Sequence, residues 1–218
     1  MAPYSRPAAA LGSIALASGA MLLLLTLWSF RSSVLPRFSV QRAGRVDVTF
    51  VGDSITAGAD WQGAFPDLVI SNQGVSGDTT TDVLARLPSI RATGARTYLV
   101  MLGINDILRG SSARDVALRM NIIQTELQSG GRARVILQST LPCQRSFCGQ
   151  EALDRVVDLN QRLKGMAGEK DFLDLHQAMV DASGSLRPAY SSDGLHLSGW
   201  GYGRWKQLLA PVIDQLPR

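Results

Sequence analysis

A chain of 218 residues, 45% hydrophobic and 18% charged, has the material for one globular domain with a buried core. Its formal net charge is +4, yet Arg6, Arg31 and Arg37 precede residue 39 while all 18 Asp and Glu follow it, so the remainder carries 19 basic against 18 acidic side chains. No run of Lys or Arg forms a stripe, which argues against a nucleic-acid partner.

Residues 8–30, from Ala8 to Phe30, contain no charged side chain and include the run Met21 to Leu25. As a helix rising about 1.5 Å per residue they are long enough to cross a bilayer core of about 30 Å. Residues 1–30 therefore read as a membrane anchor or a signal segment, and the lack of a polar face argues against a buried core helix. Ala15 and Ala17 spell a small-residue cleavage site. Cutting there would leave the most apolar stretch on the mature chain, so an uncleaved single-pass anchor fits better.

Orientation divides the signals. Arg6 flanks one side and Arg31, Arg37, Arg42 and Arg45 the other, which by the positive-inside count leaves the domain in the cytoplasm. Against this stand the only two cysteines, Cys143 and Cys148, whose short spacing suits a disulfide loop in an oxidising compartment. Two unrelated reduced thiols are the alternative; a zinc site lacks a second Cys or His pair nearby. The expectation adopted is a domain tethered to the membrane through residues 8–30 and facing the periplasm or another extracytoplasmic space.

Residues 31–45, with Pro36 and Gly44, read as a linker, and the domain occupies 46–218. Apolar, β-branched runs at Val46–Val51, Leu68–Ser71, Thr97–Leu102, Arg134–Gln138 and Asp171–Leu175 predict five strands. Helical periodicity between them predicts helices over Thr80–Ile90, Ala113–Leu127, Ala152–Met166 and Ser198–Ile213. Alternation of the two implies an α/β domain with a mostly parallel sheet covered by helices on both faces. Ligands of such sheets bind outside the carboxyl ends of the strands, so the residues just after each run are where chemistry belongs.

After the first run comes Gly52-Asp53-Ser54-Ile55-Thr56, where Ser54 could be a nucleophile or ordinary turn and cap chemistry. Asn72 to Thr80 follows the second run, with Gly74 and Gly77 ahead of an Asp78 and Thr79 pair able to cap a helix; glycine lets backbone N–H groups approach a ligand. Gly103-Ile104-Asn105-Asp106 follows the third, and the Asn105 amide can donate to a developing oxyanion or serve a turn. Asp193-Gly194-Leu195-His196 precedes the final helix. The chain has two histidines. His196 has a carboxylate three residues earlier to orient it and suits a general base acting on Ser54, whereas His176, ending the fifth run, suits a packed or hydrogen-bonded structural role.

These four blocks, in this order, resemble the GDSL/SGNH hydrolase family from about Val46 to Tyr202. Carried over block by block, the resemblance implies Ser54 as catalytic serine, Asp193 and His196 as the rest of a triad, and an oxyanion hole made by the N–H of Ser54, the N–H of Gly77 and the Asn105 amide. It also implies a flavodoxin-like three-layer α/β/α sandwich on a five-stranded parallel sheet, and no metal or organic cofactor. Ser76-Gly77-Asp78-Thr79, Leu84 to Pro88 and Leu108-Arg109-Gly110 are similar to the bacterial lysophospholipase and thioesterase branch. Gly52-Asp53-Ser54-Ile55-Thr56, and His196-Leu197-Ser198 with Gly201-Tyr202, are similar to the platelet-activating-factor acetylhydrolase and carbohydrate acetylesterase branch. Leu197 stands where the thioesterase branch usually has Pro.

The leading expectation is thus a serine esterase or deacetylase acting on an acylated carbohydrate or small molecule at the cell envelope. Lysophospholipase or thioesterase activity and O-acyl transfer are the enzymatic alternatives, and a binding module that retains the fold is the non-enzymatic one. Composition and motifs carry no information on oligomeric state.

Overall fold

Strand β1, Val48–Gly52, is buried along its whole length, as is β3, Thr97–Met101. Residues that face helices on both sides of a sheet read as unbroken apolar runs, which is why both strands are legible in the sequence. Together with β2 (Ile70–Gly74), β4 (Arg134–Gln138) and β5 (Phe172–Leu173) they form one parallel sheet of order β2-β1-β3-β4-β5. The computed structural model describes residues 46–216 apart from 130 and 132; the expected N-terminal hydrophobic helix and the linker 31–45 lie outside these. Among the described residues no helix is long and apolar enough to cross a membrane.

Nine helices are described: α1 (Ser54–Ala57), α2 (Trp61–Ala64), α3 (Thr80–Ala85), α4 (Leu87–Arg91), α5 (Ile104–Leu108), α6 (Ala113–Gln128), α7 (Arg145–Ala167), α8 (His176–Met179) and α9 (Gly199–Ile213). Alternation along β1 assigns them to two faces. Phe50 stacks on Trp61 of α2 with ring centroids 4.0 Å apart, and Trp205 of α9 meets Trp61 edge-on at 4.8 Å. Its neighbour Thr49 points the other way, its hydroxyl donating to Thr93 just beyond α4. Helix α6 packs on that side against α3, α4 and α7. Aromatic stacking of this kind adds about 0.5–1.5 kcal/mol beyond area burial. The result is the α/β sandwich with a five-stranded parallel sheet that the sequence implies.

Register positions the site. Gly52 pairs with Gly74 on one side and Met101 on the other, so β1, β2 and β3 end level and the segments that follow them leave from one edge of the sheet.

Several boundaries depart from expectation. Strand β2 lies at Ile70–Gly74 and not at 68–71, because this edge strand is only partly buried and its polar Asn72 and Gln73 hide it from an apolar search. The helix expected over 80–90 is two, broken at Arg86, with Pro88 in the first turn of the second; proline lacks the N–H needed to continue a helix. Helix α7 begins at Arg145, seven residues ahead of the expected start, and contains a break at Gly149 with φ +77°. Strand β5 is shorter than its run, and His176, expected at the strand's end, opens α8 instead.

Candidate active site

The turn after β1 is set by a buried acid. Asp53, 0% exposed, caps α1 by accepting the Ile55 N–H at 2.9 Å, while its other oxygen, Oδ2, has no partner among the described residues. Burial pushes the Asp53 carboxyl up to about 6, against the pull of the Ile55 N–H and of the nearby His196. The cap aims the next side chain, Ser54, outward. From α9, the Tyr202 hydroxyl donates to Ile55 O at 2.8 Å, and burial together with the Asp53 charge pushes its phenol up to about 12.

Ser54, His196 and Asp193 form one chain of hydrogen bonds. Ser54 Oγ lies 2.9 Å from His196 Nε2, and His196 Nδ1 lies 2.7 Å from Asp193 Oδ2. An ionised carboxylate can only accept, so Nδ1 carries the proton and Nε2 is left to accept from the serine hydroxyl. Asp193 Oδ1 in turn accepts the N–H groups of Leu195 at 2.9 Å and His196 at 2.8 Å. These bonds, the Leu195 N–H first and then the His196 ring, hold the Asp193 carboxyl well below the usual carboxylate range. It therefore stays ionised wherever the imidazole needs a counter-charge.

Asn105 and the Gly77 turn follow the two strands that flank β1. The Asn105 amide donates to Asp78 O at 3.0 Å, which brings it against the turn that holds Gly77, at φ +80°. That conformation favours glycine. Among the described residues neither the Ser54 nor the Gly77 N–H has a backbone acceptor.

This turn is anchored by charged residues, a role for them that the sequence blocks do not reveal. Of the Asp78 and Thr79 pair expected to cap α3, Thr79 does so, through a capping box with Asp82, and Asp78 pairs with Arg86 at 2.7 Å. Arg86 also donates to Gln73 O at 2.8 Å, tying the end of β2 to the turn. Arg109 donates to Gly77 O at 2.8 Å. Buried Asp106 accepts the Thr80 N–H at 2.9 Å, the Thr80 hydroxyl at 2.6 Å and Arg119 Nη2 at 3.1 Å. The available signal was a charge on an otherwise inward helix face, as with Arg119 between Val116, Met120 and Ile123.

His176 is buried, but its Nε2 has no partner among the described residues; it belongs to the packing beside β5 and not to the Ser54 chain. Burial holds its pKa below the ordinary histidine value. Cys143 and Cys148 are joined in a disulfide, with Cα atoms 6.2 Å apart, so the alternative of two reduced thiols does not hold.

A serine hydroxyl, an imidazole and a carboxylate linked in this order are the arrangement that serine hydrolases use. The family model for the GDSL-like lipase/acylhydrolase family matches residues 50–204, and the chain belongs to that family. It is a hydrolase of ester bonds. The platelet-activating factor acetylhydrolase IB subunit alpha2 of Homo sapiens is 28% identical over 178 residues, 78% of this chain and 77% of that protein. The alpha1 subunit of Bos taurus is 28% identical over 162 residues, covering 72% and 70%. Among solved structures, a GDSL-like lipase from Bacteroides thetaiotaomicron superposes with a TM-score of 0.69 at 23% identity, covering 87% of this chain and 97% of that one, a likeness of fold.

Proposed function

We propose that Ser54 is the nucleophile of this esterase, with His196 as its general base and acid and Asp193 as the group that orients and stabilises the imidazolium. The observation that carries this reading is the unbroken chain from Ser54 Oγ through His196 to Asp193. Ser54 Oγ attacks the ester carbonyl carbon as its proton passes to His196 Nε2. The resulting oxyanion is received by the N–H groups of Ser54 and Gly77 and the Asn105 amide. Collapse breaks the bond to the alcohol oxygen, which takes the proton back from His196 and leaves as the alcohol. Water then loses a proton to His196, attacks the acyl-enzyme and releases the carboxylic acid, and the proton returns to Ser54.

The substrate we infer is a short-acyl ester on a carbohydrate or small molecule at the cell envelope. Relatives named as acetylhydrolases support the short acyl group. The apolar segment 8–30 and a disulfide in the catalytic domain support a tethered domain, residues 46–218, on the oxidising side of a membrane. Lysophospholipase or thioesterase activity is the second reading, favoured by exposed Val75, Leu108 and Phe147 on the segments that surround Ser54. The test is to assay the full chain in detergent micelles against p-nitrophenyl esters from acetate to palmitate, beside Ser54→Ala. Turnover that is greatest on acetate and absent from Ser54→Ala is the expected result. An optimum on long chains would replace the first substrate reading by the second, and an active Ser54→Ala would refute the nucleophile.

A further inference from the structure

Asp193 and His196 lie in an irregular segment between a 3₁₀ turn, Pro188–Tyr190, and α9. Their side chains are 52% and 49% exposed. No strand or long helix fixes them, although the imidazole must stay within hydrogen-bond reach of Ser54, and a misplacement of about 1 Å can cost about 100-fold in rate.

What holds this segment from outside is the loop closed by the disulfide. The Gln144 N–H donates to Gly194 O at 2.7 Å, and the Gln144 side-chain amide donates to Ser191 O at 3.3 Å. Phe147 lies against Gly194 so closely that a Cβ there would stand 2.8 Å from the Phe147 Cβ. Gly194 is at φ +90°, so both its own backbone and the Phe147 Cβ exclude a side chain at the residue between Asp193 and Leu195. Ser191 passes the contact on, accepting the Gly194 N–H at 2.9 Å and donating to Asp193 Oδ1 at 3.2 Å.

The loop itself has one secure end. Cys143 is fully buried, and its carbonyl accepts the Leu186 N–H at 3.1 Å. The other end is less secure: Cys148 is only partly buried against the core, Phe147 beside it is 49% exposed, and the helix breaks at Gly149. The Cys143–Cys148 bond is the covalent tie between the fully buried end and the partly buried one, and Gln144 and Phe147 lie between the two cysteines in the chain.

We propose that the loop 143–148 is a positioning device for the proton-handling half of the site, with Gln144 and Phe147 as positioning residues held in place by the disulfide. This rests on the assignment of His196 and Asp193 made above. The loop acts through Gly194 and Ser191 on the Asp193 carboxylate and the His196 ring, and so sets the rate of proton transfer more than the affinity for an ester.

The experiment compares the oxidised full chain with the same protein reduced by a phosphine, which with water converts the disulfide to two thiols and itself to the phosphine oxide. Phe147→Ala and Phe147→Leu, both with the disulfide intact, are measured alongside. Three readouts are taken well below the melting temperature: kcat and KM on p-nitrophenyl acetate, the rate of Ser54 labelling by a fluorophosphonate, and hydrogen exchange over residues 191–198. Reduction is expected to lower kcat and the labelling rate about tenfold, with KM held within about twofold, and to raise exchange over 191–198 while that of β3 stays unchanged. Phe147→Ala is expected to follow in the same direction, and Phe147→Leu to recover most of the rate. A kcat that stays within about twofold in both reduced protein and Phe147→Ala, or exchange over 191–198 that does not move, overturns the proposal. Equal turnover by oxidised wild type and Ser54→Ala would instead remove the assignment of the site, an outcome told apart because failure of the loop proposal leaves the Ser54→Ala loss in place.

Discussion

The two halves of the candidate site are built in different ways. The Ser54 and Asn105 side grows out of strand ends in the middle of the sheet and is locked by buried charge: Asp53 under the serine, Asp106 with Arg119 and Thr80 under the Gly77 turn. The Asp193 and His196 side is a half-exposed segment held by local carboxylate turns and by a neighbouring disulfide loop. The contrast fits the role proposed for each half. Oxyanion donors act by being preorganised and gain from a rigid, dry setting, whereas an imidazole that cycles between charged and neutral forms gains from solvent nearby to support its charge. Damage to the first half should therefore appear in both stability and rate, and damage to the second mainly in rate.

The largest effect that tests this contrast is expected from Asn105→Ala. Loss of one oxyanion donor typically costs about 10²- to 10³-fold in kcat, and steady-state kinetics with KM nearly unchanged would carry the point. The same variant also frees Asp78 O, so a small fall in melting temperature should accompany it. His196→Ala, on the exposed half, should lose activity with no such fall.

Next comes Arg119→Ala, far from any ester but part of the buried half. It leaves the Asp106 carboxylate, 1% exposed, without its cation, and breaking a buried pair from one side costs about 3–5 kcal/mol. Urea denaturation should show that loss; a change below about 1 kcal/mol would mean that the buried half is not held by this network.

Asp53 sharpens the comparison through pH. Its carboxyl is raised from 3.8 to about 6 by burial, so the folded state holds that proton more tightly than the unfolded one. Its contribution is present in full below about pH 4 and is lost as pH rises through about 6, to a total of about 3 kcal/mol. Asp53→Asn keeps a side-chain oxygen to cap α1 and removes the titration. Relative to wild type it should therefore gain stability progressively from pH 4 to pH 7 in denaturant titrations. A constant difference across that range would show that Asp53 does not titrate there.

The smallest expected effect is the thermodynamic one of the disulfide. Closing so short a loop contributes about 2 kcal/mol, so Cys143→Ala with Cys148→Ala should lower the melting temperature by only a few degrees, read by circular dichroism. A rate loss much larger than this stability loss would mark the loop as a device of the exposed half.

How much of this could be read from the chain depends on how local each feature is. Strands β1, β3 and β4 were legible because burial on both faces makes them unbroken apolar runs. The edge strand β2 was misplaced by two or three residues because partial exposure lets Asn72 and Gln73 into it. The break at Arg86 was available from Pro88 but was overridden by the apolar periodicity around it. Which of Asp78 and Thr79 caps α3 was left open by the pair itself; in the fold Thr79 caps while Asp78 pairs with Arg86, eight positions on.

By itself the amino-acid sequence determined the α/β class and the level at which chemistry should sit, because short-range patterning encodes them, and the resemblance of its four blocks pointed to Ser54, Gly77, Asn105, Asp193 and His196 as the candidate site. Only the tertiary structure decided that Ser54, His196 and Asp193 are in hydrogen-bond contact, that Cys143 and Cys148 are bonded, and that their loop lies on Gly194. Those contacts join residues as much as 142 positions apart, and such pairings depend on how the sheet edge gathers its loops, a property of the packed chain that no local run of residues carries.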